Sequence, residues 1–146
     1  MKIPKSSQGL IEEIFICVDL NDKLGDLRIR QLHKILNKVS DEIIIDAVIQ
    51  IFENKNRDKT LYLDQLYAGQ ILAQINPKST IDLKLILNKT LDNWNKSIND
   101  LPYWLVKNYS KEILKNELLT ISNHPLKSNE MKDNAKTMMW WIEQVR

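Results

Sequence analysis

The segment that most limits the possible folds is residues 40–53, SDEIIIDAVIQIFE. Its apolar positions leave only Glu42, Asp46, Gln50 and Glu53 polar after the opening Ser40 and Asp41. An isoleucine-rich run also suits a strand, because β-branched side chains pack well on a pleated surface. The polar positions recur at intervals of three and four, not two, which is the repeat of a helix. Ser40 or Asp41 is placed to cap its first turn. A helix that is apolar around most of its circumference must lie between neighbours. The chain therefore has to supply other helices to cover it.

The rest of the sequence supplies them. Helical periodicity predicts a helix over 6–19, with Ser6 or Ser7 as cap and Leu10, Ile11, Ile14 and Val18 inward. A second is predicted over 22–38, with Leu32, Ile35, Leu36 and Val39 inward and Arg30, Lys34 and Lys38 toward water. A third covers the segment above, and a fourth runs over 59–75. Gly69 inside the fourth costs ~1 kcal/mol relative to alanine, and close approach of another helix is the expected reason. Pro77 ends that helix, and Ser79 or Thr80 caps the next, over 80–97. A short helix over 101–108 follows, with Asp100 as cap and Pro102 in its first turn, where the missing N–H does no harm. A helix capped by Ser110 runs until the break at Pro125, and the last covers 129–145. The expectation is one all-α domain over 1–146, of about eight helices, antiparallel because the connections are short.

Composition narrows the function classes. A chain of 146 residues buries enough surface to fold without a disulfide or a metal. Lysine and arginine total 21 against 19 acids, and the two signs alternate along most of the chain. That is the pattern of solvated helix faces, whereas a dedicated nucleic-acid binder concentrates positive charge on one face. The single Cys17, inside IFICVDL, excludes an intramolecular disulfide and reads as a small buried apolar residue. No run approaches the ~20 apolar residues of a membrane span. Glu12 and Glu13 interrupt what would be the apolar stretch of a signal peptide, so the cytoplasm is the expected location. The Asn, Lys and Ile bias is that of an AT-rich genome and carries no functional information.

Helix pairs begin near Ser40 and again near Ser79, each with a capped, strongly apolar first helix. This arrangement resembles the two-helix unit of HEAT and armadillo repeat proteins, whose period is ~40–47 residues. The resemblance rests on pairing and spacing, with no residue-level consensus, and an irregular α-bundle is the alternative. It implies an extended concave surface of the kind that binds other macromolecules.

Catalytic patterns are lacking. His33 and His124 are far apart in sequence, and neither has a second histidine or a carboxylate at ligand spacing. The glycines Gly9, Gly25 and Gly69 are isolated, so there is no phosphate-cradling loop. Glu42 and Asp46 share a helix face but have no accompanying E-x-x-H, and read as a solvated edge. No enzyme activity, cofactor or metal is expected. Arg28, Arg30, Lys34 and Lys38 form one basic cluster, and Lys127, Lys132 and Lys136 another. They make nucleic-acid binding, centred on Arg30 and Lys34, an alternative function. Some helical-repeat proteins, including alkylated-base DNA glycosylases, grip DNA with such surfaces, but this chain is shorter and nearly neutral.

The aromatics divide by helical phase. In NDLPYWLVKNYSKE, residues 99–112, Trp104 and Leu105 face the core and Tyr103 suits a rim. In the last helix Met131, Ala135, Met138, Ile142 and Val145 form the inward stripe. Trp141 lies at its border and Trp140 almost opposite. Cover of Trp140 by a neighbouring segment of the chain is the expectation, and cover by a partner the alternative. The expected function is non-catalytic protein binding as a helical scaffold or adaptor, with Trp140 and Tyr103 as the binding residues. An immunity or antitoxin protein that covers a toxin's active site is a specific form of it.

Overall fold

The computed structural model describes residues 1–145. They form nine α-helices: α1 (Ser7–Asp19), α2 (Asn21–Leu24), α3 (Leu27–Ile35), α4 (Asp41–Glu53), α5 (Leu61–Ile75), α6 (Leu83–Thr90), α7 (Asp100–Tyr109), α8 (Lys111–Ser122) and α9 (Asn129–Glu143). A single 3-10 turn, Leu36–Lys38, follows α3, and no strand occurs among the described residues.

Serine caps start four of these helices. Ser6, Ser40, Ser110 and Ser128 each accept a hydrogen bond from the backbone N–H three residues on, which satisfies a donor that the first turn leaves free. As its composition demands, α4 lies in the middle, packed against α1, α5 and α6. Its Ile44, Ile45, Ala47, Val48, Ile49, Ile51 and Phe52 are all buried. Gly69 also has the expected reason. A Cβ there would stand 3.0 Å from Asp100 Cβ and 3.1 Å from Ile98 Cγ2, because the start of α7 lies directly on α5.

Three sequence expectations require correction. The helix predicted over 22–38 is broken, which raises the count from eight to nine: Gly25, at φ 57°, ends α2 in a left-handed conformation that glycine adopts without strain. The helix predicted over 80–97 stops at Thr90, and Asp82, not Ser79 or Thr80, occupies the cap position. Leu91, Trp94 and Ile98 are still buried, but in turns. A polar network holds those turns in place of a helical ladder. Asn93 Nδ2 donates to Phe52 O and Asn54 O, at 3.2 and 2.7 Å, and Gln65 Nε2 donates to Asn93 O at 2.8 Å. Gln65 Oε1 accepts from Asn95 N at 2.7 Å. Finally, Asp100 is the first helical residue of α7 and Asn99 takes the cap position.

A similar clasp recurs along the chain. Asn93 seats its amide on the carbonyls that end α4, and Asn134 seats its own on Leu91 O, just past α6, at 2.6 Å. In each case the preceding aspartate pairs with a lysine of an earlier loop: Asp92 with Lys55 at 2.5 Å, and Asp133 with Lys96. One buried charge anchors the other end of the α4–α5 connection. Asp64 is 2% exposed and binds Arg57 at 3.1 Å, Arg57 also pairs with Asp19 at 2.8 Å, and its guanidinium lies 4.1 Å from the Phe15 ring centre. A buried carboxylate needs such partners to offset its lost hydration.

Candidate functional site

On α9 the inward stripe holds as far as Ile142: Met131, Ala135, Met138 and Ile142 are buried. A helical residue in the opposite phase points to water, and Trp140 is 58% exposed. The expectation that another segment of the chain covers it is therefore corrected. Its ring meets the edge of Trp141, with centroids 4.9 Å apart and planes at 69°.

Trp141 ties this position to α7. It is half-buried, and its Nε1 donates to Lys96 O at 2.7 Å. Tyr103, on α7, meets it edge-on, with centroids 6.2 Å apart and planes at 89°. Edge-to-face geometry is favourable for aromatic pairs and makes the three rings one continuous surface. The structure thus brings together Trp140 and Tyr103, singled out separately in the sequence, through a residue that was not singled out. The available signal was the position of Trp141 at the border of its stripe. Its meeting with Tyr103 depends on how α7 and α9 pack. Trp104, one residue on, is 2% exposed and donates Nε1 to Pro77 O at 2.9 Å, as an inward-facing residue should.

The indole N–H groups separate the tryptophans further. Trp94 donates to Ile98 O at 2.9 Å, and Trp104 and Trp141 donate to the carbonyls just given. Trp140 alone has no hydrogen-bond partner for its indole among the described residues.

No protein-family model, curated protein or solved structure matches the chain.

Arg30 and Lys34 are exposed on α3 and line a shallow groove of about 350 Å³ with His33 and Gln74. They are near one another but are not joined to the aromatic face; α5 packs against both α3 and α7. Much of the basic cluster is neutralised. Arg28 pairs with Glu13 at 2.8 Å and Arg30 with Asp26 at 3.1 Å. In the second cluster Lys127 bonds Asn88 Oδ1 at 3.0 Å.

Burial, and then the charge of Glu13, pushes the Cys17 thiol up to about 11, so it carries little thiolate at neutral pH. His124 Nδ1 accepts from Leu126 N at 3.1 Å and shapes the α8–α9 turn. Glu42 and Asp46 border a pocket of about 220 Å³ with Lys78 and Thr80. No group of three metal-ligating side chains lies within reach of a common ion among the described residues, and no helix among them is long and apolar enough to cross a membrane.

Proposed function

We propose that the protein is a non-catalytic protein-binding domain and that the partner docks on the face formed by Trp140, Trp141 and Tyr103. The observation that carries this is Trp140: 58% exposed, with an unpartnered indole, against an aromatic neighbour that is itself held by Lys96 O. Exposed tryptophans are costly to leave in water and are enriched where binding energy concentrates. An aromatic surface set on packed helices is also rigid, so little order is lost on binding.

We further infer that the helix pairs stack in the manner of HEAT repeats. In chain order α1 packs on α4, α4 on α6 and α6 on α8, while α3 packs on α5, α5 on α7 and α7 on α9. These contacts support two stacked rows, and the asparagine clasps, one tying the α6–α7 connection to the end of α4 and the other tying α9 to the end of α6, support the same reading. All four candidate residues, Arg30, Lys34, Tyr103 and Trp140, belong to the second row. Repeat proteins use one row as an extended binding surface. Immunity toward a toxin is one role such a domain can take, and a cytoplasmic setting suits it.

Affinity purification of the tagged chain from its native host, with mass spectrometry, is the test. A stoichiometric protein recovered with the wild type and lost with Trp140→Ala is the expected result. Recovery of no partner, with the Trp140→Ala protein monomeric, soluble and fully active in the host, would overturn the reading. Retention on heparin that disappears with Arg30→Ala/Lys34→Ala would instead favour nucleic acid.

A further inference from the structure

Charges around the aromatic face are not evenly matched. On α9, Asp133 is held by Lys96, and Glu143 by Lys115 at 2.9 Å and Lys111 at 3.9 Å. Those carboxylates are already satisfied and bring surplus lysine with them. Two further lysines stand within one turn of the rings. Lys136 stands one turn before Trp140 on α9, and Lys107 one turn after Tyr103 on α7. Residues four apart share a helix face, so the two flank the aromatic surface. Both are exposed, and neither has an ion-pair partner among the described residues. The half-buried Asp100, one turn before Tyr103, is the nearest opposing group on α7.

We propose that this face takes an acidic peptide segment of the partner, whose aromatic or aliphatic anchor lies on Trp140 and Trp141 and whose carboxylates meet Lys136 and Lys107. The inference rests on the protein-binding reading above and adds the partner's chemistry. Complementary charge at the rim of an apolar contact steers association and selects among partners. An aromatic surface with lysines also suits a single-stranded nucleic acid. The peptide fits better because successive bases need a row of open ring faces, whereas Trp140 alone of the three rings is largely exposed and the rings stand edge-to-face.

The test uses the full chain labelled with nitrogen-15 and follows the Trp140 indole resonance. The probes are the peptide acetyl-Glu-Asp-Leu-Phe-Glu-Asp-Leu-amide, the same peptide with lysine at every acidic position, and oligothymidylate. The acidic peptide should move the Trp140 resonance and bind about tenfold more tightly than the lysine peptide. Lys107→Glu/Lys136→Glu should reverse that preference, and Trp140→Ala should weaken the acidic peptide by about tenfold. Failure of the acidic peptide to shift the resonance, equal binding of the lysine peptide, or tighter binding of oligothymidylate would overturn the proposal. A native partner that is lost with Trp140→Ala yet retained by Lys107→Glu/Lys136→Glu would overturn the acidic-segment inference alone and leave the protein-binding reading standing.

Discussion

Ser110 joins α7 to α8 with φ 69° and ψ 152°, a conformation that side chains with a Cβ rarely adopt. It is kept because the same residue closes α7, through its N–H to Val106 O at 3.1 Å, and caps α8. The cap bond to Ile113 N is long, at 3.4 Å. Glycine caps a helix only a few tenths of a kcal/mol less well than serine and carries no strain here. Ser110→Gly should therefore raise stability by about 1 kcal/mol, read as a higher urea midpoint with unchanged slope. An unchanged or lower midpoint would mean that the backbone at Ser110 is not strained. His33 is the other residue with a measurable signature. Its Nε2 is buried without a partner, and burial lowers its pKa below the usual histidine range. The folded state thus holds the neutral ring while the unfolded chain takes up a proton first as the pH falls. Its contribution to stability is full above pH ~6.5 and is lost on acidification through the lowered folded value. Urea titrations at about pH 7.5 and 5.5 should show the loss, and His33→Gln should flatten it.

At the scale of elements, the contact between α5 and α7 turns on Gly69. Alanine there gains ~1 kcal/mol of helix propensity, but its methyl group would press on Asp100 Cβ and Ile98 Cγ2. Both belong to a segment pinned by the Gln65–Asn93–Asn95 network, so neither moves away cheaply. Gly69→Ala should lower stability by about 1–2 kcal/mol net, since overpacking commonly costs 1–3. A more stable variant would show that α7 can slide on α5. The helix ends were less legible than the helices themselves, for the same reason. Leu83, Leu87, Leu91, Trp94 and Ile98 share one stripe in the sequence, and all five are buried. Periodicity reports burial, and buried turns satisfy it as well as a helix when side-chain amides replace the missing backbone bonds. The α2–α3 break, by contrast, had a visible signal in Gly25, a residue suited to ending a helix.

At the scale of the molecule, adjacent tryptophans separate the structural and binding contributions. Trp141 is half-buried and hydrogen-bonded, so Trp141→Ala should lose about 2–3 kcal/mol of stability, together with the order of Tyr103. Trp140→Ala removes an exposed ring and should change stability by less than about 0.5 kcal/mol. Chemical denaturation of the two variants checks both figures, and equal losses would place Trp140 in the core.

What the sequence determined by itself is the class of fold, the central place of α4 and the phase of Trp104, Trp140 and Trp141 on their own helices. These follow from local periodicity, because a side chain's direction is set by the backbone that carries it. Only the tertiary structure decided that Tyr103, Trp141 and Trp140 form one face, that Arg28 and Arg30 are paired, and that the stretch after α6 is held as turns. Each of these depends on groups distant in sequence meeting across helices, and the distance and angle of that meeting are set by the packing of the whole core.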